Sequence, residues 1–168
     1  RLTDLGLGQK LRALLAEPDA DAPEWLPTTC IPVLREWGWA ERPTAVVALE
    51  SRDHPILVAS LARGLARMGR MDFLGTVRRD PALPPVTAQN SAYRVAQLWE
   101  TFTGPGPDTT GEPGEDGPAG TAGSAVPAGP VLLVTDLVGT GWTITEAARH
   151  LRAAGASAVL PLAVASAG

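Results

Sequence analysis

Cysteine, histidine, lysine and aromatic side chains are all scarce in this sequence. Cys30 is its one cysteine, which excludes an internal disulfide and a thiolate metal site and suits a reducing interior. His54 and His150 lie far apart and form no ligand pair at helical spacing, so no metal site is expected. Lys10 is the single lysine, and the net charge of −4 gives no overall attraction to nucleic acid or to an anionic membrane. No apolar run is long enough to cross a bilayer, and the start resembles no signal peptide, so a cytoplasmic location is expected. The sequence begins at Arg1 without an initiator Met, from which a piece of a longer polypeptide is expected.

Several chemistry-bearing motifs are also missing. There is no Gly-Lys-Ser/Thr phosphate loop, no GxGxxG fingerprint at a strand–helix turn and no GxSxG nucleophile elbow. What is present is a globular composition, 45% apolar, in a chain of 168 residues, enough for one domain with a buried core.

The apolar pattern divides the chain into a helical N-terminal extension over 1–40 and an α/β domain over 41–168. Leu7, Leu11, Leu14 and Leu15 share a helical face, and Ile31, Leu34 and Trp37 suggest a second helix that begins near Pro32 and ends at Gly38. Residues 44–50 (TAVVALE) read as a buried strand. Pro55 suits the first position of a following helix, with Leu57, Leu61, Leu65 and Met68 as its apolar stripe and Gly69 as its C-terminal cap. Arg63, Arg67 and Arg70 fall on another face and read as a solvated flank.

Residues 72–77 (DFLGTV) form the next strand candidate, with Arg78 and Arg79 as its solvated end. Asn90 is placed to cap a helix whose buried stripe is Val95, Leu98, Trp99 and Phe102. About half of residues 104–130 are Gly or Pro and almost none are bulky, so a disordered insertion is expected there. Residues 131–134 (VLLV) suit a central parallel strand covered on both faces. A helix follows with Ile144, Ala147, Ala148 and Leu151 at helical spacing, Thr143 and Glu146 as a capping box, and Gly155 as its stop. Residues 158–165 (AVLPLAVA) complete the set, and Pro161 assigns that strand to an edge. Alternating strands and helices predict an α/β fold around a mainly parallel sheet.

Ligands of such sheets sit beyond the carboxyl ends of the strands. The turn after VLLV, Thr135-Asp136-Leu137-Val138-Gly139-Thr140-Gly141-Trp142-Thr143, places an acid, two glycines and the hydroxyls of Thr140 and Thr143 at a helix N-terminus. Backbone N–H groups, hydroxyls and the helix dipole there converge on one point, as a phosphate requires. Trp142 has two readings, stacking on a base or sugar and packing over the helix start.

VLLVTDLVGTGWT resembles the PRPP-binding signature of type I phosphoribosyltransferases: an apolar strand, two acids, two apolar residues and a Thr/Gly-rich loop. The resemblance implies that Asp136 is the second acid of the ribose-gripping pair and that Gly139, Thr140, Gly141, Trp142 and Thr143 hold the ribose 5-phosphate. Thr135 stands where the first acid belongs. Ser51, Arg52 and Asp53, with His54, occupy the place of the pyrophosphate loop, although that loop usually carries a small residue and no Gly occurs here. His54 also reads as a plain loop residue or helix cap. The resemblance further implies PRPP with Mg²⁺ as the ligand.

From about Trp37 onward the chain is also similar to the phosphoribosyltransferase-like domain at the C-terminus of some bacterial RecQ-family DNA helicases, and more distantly to the ComF-type competence proteins. That similarity implies an accessory domain that binds a phosphorylated ribose ligand or serves as a docking module for a partner, with little or no catalysis. Its partners would be a helicase core in the same polypeptide, a phosphoribosyl ligand, DNA through the helicase only, and no membrane. The alternative is an active Mg²⁺-dependent phosphoribosyltransferase, against which Thr135 counts.

Overall fold

The computed structural model describes residues 6–80, 82–83, 101–106 and 126–166. Among these residues nine elements follow one another: α1 (Leu7–Leu14), α2 (Trp25–Glu36), β1 (Ala45–Leu49), α3 (Pro55–Gly69), β2 (Asp72–Arg79), β3 (Phe102–Gly106), β4 (Pro130–Val138), α4 (Trp142–Ala153) and β5 (Ala158–Ser166). The strands form one sheet in the order β3-β2-β1-β4-β5. Three of its pairings are parallel and only β2–β3 is antiparallel, so the mainly parallel α/β fold expected above is the one observed.

The two faces of β1 and β4 feed two cores. Val46, Ala48, Leu132 and Val134 pack with Leu57, Leu61 and Leu65 of α3, and α1 and α2 contribute Leu11, Leu26 and Leu34 to that side. Val47, Leu49, Val131 and Leu133 pack with Ala147 and Leu151 of α4 on the other side. β1 is buried along its whole length, which is why its five residues read as a run and not as an alternation. Leu61, Leu65, Leu133 and Leu151 are fully buried, each worth about 1.5–3 kcal/mol of transfer free energy.

Several boundaries differ from the sequence expectations. α2 begins at Trp25, two turns before Pro32, which lies inside the helix. The hydroxyls of Thr28 and Thr29 turn back onto the carbonyls of Glu24 and Trp25, so this segment satisfies its polar groups as a helix despite two prolines. Met68 is exposed, unlike the other members of its stripe, and the left-handed cap of α3 is Arg70 (φ 54°), one residue beyond Gly69. β2 continues through Arg78 and Arg79. Both are half-buried, and Arg78 pairs with Glu50 at 3.5 Å, so this is not a simple solvated strand end.

Phe102 is buried in β3, paired with Arg79, and is not on a helix. The rest of the helix expected after Asn90 lies outside the described residues. Gly104, Pro105 and Gly106 also belong to β3, and Pro130 opens β4, so these ends of the expected insertion are strand residues. Residues 107–125 of it lie outside the described residues. Among the described residues β5 is an edge strand, as Pro161 suggested, and its partner is β4.

Candidate functional site at the carboxyl ends of β1 and β4

β1 is the strand at which the sheet reverses direction of growth. The chain leaves β1 through α3 to reach β2 on one side, and leaves its other neighbour, β4, through α4 to reach β5. α3 and α4 cover opposite faces, so the turns after β1 and β4 open beside each other at a topological switch point. The two segments singled out in the sequence are these two turns.

β4 runs to Val138, four residues past the VLLV run, so Thr135 and Asp136 are strand residues and the turn proper begins at Gly139. Alternation along β4 sends Asp136 to the α3 face, where Ser51 waits. Ser51 and Asp136 are both buried, and the Ser51 Oγ hydroxyl donates to Asp136 Oδ2 over 2.5 Å. The hydroxyl of Thr135 donates to Asp136 Oδ1 over 3.3 Å. Ser51 Oγ also accepts from the backbone N–H groups of Asp53 (3.2 Å) and His54 (3.0 Å). One serine oxygen thus ties the turn after β1 to the carboxylate of β4.

The two helix starts are treated differently. At α3, His54 occupies the N-cap without a side-chain capping bond. The carboxylate of Asp19 arrives from the segment between α1 and α2 and accepts from the N–H groups of Ile56 (2.8 Å) and Leu57 (3.0 Å). At α4 the N-cap is Gly141, in the left-handed region at φ 81°, and no side chain caps the helix among the described residues. The expected box of Thr143 and Glu146 does not form, because Trp142 rather than Ile144 opens the helix. Glu146 is buried and pairs with Arg149 at 2.8 Å instead. Gly139, Thr140 and Thr143 are exposed, and Trp142 is half-buried against the α4-side core, which favours its packing reading. The start of α4 therefore offers an anion an uncapped helix N-terminus, whereas the start of α3 is already satisfied by Ser51 and Asp19.

Arg52 and Asp53 are exposed on the turn beside this opening, and Glu50 and Arg78 span the ends of β1 and β2. Asp19, Glu50 and the linking role of Ser51 were not foreseen. The acid ending β1 and the base ending β2 were a usable signal for Glu50 and Arg78, since parallel neighbours align their ends. Nothing in the sequence pointed from Asp19 to α3.

The donor set does not fit a resident Mg²⁺. Among the described residues no three Asp, Glu, His or Cys side chains converge.

This architecture recurs in solved structures. An adenine phosphoribosyltransferase is 21% identical, with 84% of this chain and 68% of that chain covered and a TM-score of 0.50. The chain has the type I phosphoribosyltransferase fold. The adenine phosphoribosyltransferase of Saccharomyces cerevisiae is 20% identical (84% of this chain, 66% of that chain, TM-score 0.49). The orotate phosphoribosyltransferase of Aeropyrum pernix is 18% identical (83% and 70%, TM-score 0.41). The chain thus spans about two thirds of the length of these proteins. No family model matches the sequence, and comparison with curated proteins finds no match. No helix among the described residues is long and apolar enough to cross a membrane.

Proposed function

We propose that this chain is a phosphoribosyltransferase-like accessory domain that binds a phosphorylated ribose, with little or no catalysis. The observation that carries the proposal is the contrast between the two helix starts. Gly139, Thr140, Gly141 and Thr143 flank the uncapped N-terminus of α4 in the turn that follows Asp136. A 5-phosphate at α4 and a ribose hydroxyl on Asp136 use groups of the kind each requires.

The diphosphate half is poorer. The N–H groups of Asp53, His54, Ile56 and Leu57, which an anion after β1 would use, already bond to Ser51 and Asp19. Thr135 supplies a hydroxyl where a second carboxylate would grip the ribose, which weakens binding by about 1.5–3 kcal/mol, a ten- to hundredfold loss. Mg²⁺ would enter on the diphosphate of PRPP as part of the ligand. The residence of this domain in a RecQ-family DNA helicase, with the helicase core in the same polypeptide and DNA reached only through it, rests on the sequence resemblance.

The test is a titration with PRPP, with and without Mg²⁺, by calorimetry and by the fluorescence of Trp142, using Trp142→Phe to isolate its signal from the other tryptophans. Saturable binding that Thr135→Asp tightens and Asp136→Ala weakens is expected. No heat of binding in either the native chain or Thr135→Asp would overturn the ligand reading. Release of pyrophosphate from PRPP with a common nucleobase would replace it with an active transferase.

A further inference from the structure

We propose that Ser51 is a positioning residue, not a diphosphate ligand: it locks the Asp136 carboxylate and the turn after β1 into one hydrogen-bonded unit. The inference builds on the ribose-phosphate reading above and assigns Ser51 a task that the resemblance does not. A ligand-contacting residue needs a free polar atom that a ligand can reach. The Ser51 oxygen already makes three hydrogen bonds, one donated and two accepted, which exhausts a hydroxyl, whereas each Asp136 oxygen accepts one bond and keeps a further lone pair.

The direction of those bonds supplies the coupling. An ionised carboxylate only accepts, so Asp136 fixes the Ser51 proton toward β4. Both lone pairs of the oxygen then face the turn, where they take the N–H groups of Asp53 and His54. Loss of Asp136 frees the hydroxyl to rotate, and the two amides lose a fixed acceptor. Loss of Ser51 leaves the buried carboxylate with only the longer bond from Thr135, free to swing away from the ribose position. The turn after β1 and the acid on β4, 85 residues apart, therefore respond together.

Amide hydrogen exchange on the ligand-free chain tests this without any activity. Ser51→Ala and Asp136→Val (a side chain at home in a buried strand) should each speed exchange at Asp53 and His54 at least about tenfold. The double variant should be no faster than either single one, because both remove one shared unit. Asp136→Asn keeps an acceptor for Ser51 and should hold both amides near wild-type rates. The amides of Val46 and Val47 in β1 report that the fold is intact. If Asp136→Val unfolds, Ser51→Ala and Asp136→Asn still make the comparison from the other side.

Wild-type protection of Asp53 and His54 in Asp136→Val would overturn the proposal, as would multiplicative effects in the double variant. Loss of protection in a well-folded Asp136→Asn would overturn it too. Titration with ribose 5-phosphate separates the two readings. If the wild-type chain binds it, Ser51→Ala should bind about tenfold more weakly, and unchanged affinity would sink the link to Asp136. If the wild-type chain does not bind it, the ligand reading falls while the exchange rates still decide the role of Ser51.

Discussion

Asp19 Oδ2 lies 2.8 Å from the amide nitrogen of Ile56, 37 residues further along the chain. Its other oxygen takes the next amide, Leu57, so a carboxylate from the segment between α1 and α2 caps α3, whose own N-cap residue has no capping bond. Asp19→Ala should destabilise the fold by about 1–2 kcal/mol, the usual cost of a lost cap. Asp19→Asn keeps an oxygen acceptor and should recover most of that loss. Urea denaturation of the three proteins checks this, and equal midpoints would show that the carboxylate contributes nothing.

Thr135→Asp should trade stability for ligand affinity. Thr135 is buried, with its hydroxyl 3.3 Å from Asp136, so a second carboxylate there meets a like charge in a site of low solvation. Without ligand the variant should lose about 1–3 kcal/mol. Crowding raises the pKa of the new carboxyl in the folded state, so the folded chain holds more protons than the unfolded one. Stability of the variant should therefore fall, relative to wild type, as pH rises from about 5 to about 8. Denaturant midpoints at the two pH values check the sign. Parallel pH curves for variant and wild type would show that the two carboxyls do not interact.

The elements that the sequence disclosed are those with local causes. β1 and the first half of β4 are unbroken apolar runs, α3 opens at Pro55, α4 stops before Gly155, and Pro161 marks β5 as an edge. The misplaced boundaries had causes elsewhere in the chain. Pro32 looked like a helix start because its missing N–H is harmless there, but Leu26 packs into the core nearly two turns earlier and carries the helix back to Trp25. Phe102 fits a helical stripe by spacing, yet its pairing with Arg79 places it in an antiparallel strand. At the site, the motif around Asp136 was legible as a turn before a helix. Its bond to Ser51 was not, because only the pairing of β1 with β4 brings those residues together.

Gly75 should not tolerate a side chain. It sits at φ 104° in β2, where the register with β1 shifts, and an added Cβ would collide with the backbone carbonyl of Gly106 in β3. Gly75→Ala combines a strained φ with a backbone clash, and should cost more than about 2 kcal/mol and loosen β3 before the rest of the sheet. Exchange at the amides of Thr76 and Arg78, with Leu133 of β4 as reference, would show this. An unchanged denaturation midpoint would mean that β3 contributes little to the fold.

Cys30 offers a check on the packing of α2 against α3 and the sheet. It is half-buried on α2 against the α3-side core, and burial pushes its thiol above the ordinary value of 9.0. The thiolate is the reactive form, so alkylation by iodoacetamide at about pH 8 should run at least about tenfold slower than in the urea-unfolded chain. The folded chain keeps this proton when the unfolded chain has lost it. The thiol's contribution to stability is thus complete below pH 9.0 and declines above it, as the unfolded state comes to bind fewer protons. The alkylation rate should rise with pH along a curve displaced upward from that of the unfolded protein. Leu26→Ala, which removes a fully buried anchor of the same helix, should bring the two curves together. Coincident curves in the wild-type chain would mean that α2 does not stay docked on α3 in solution.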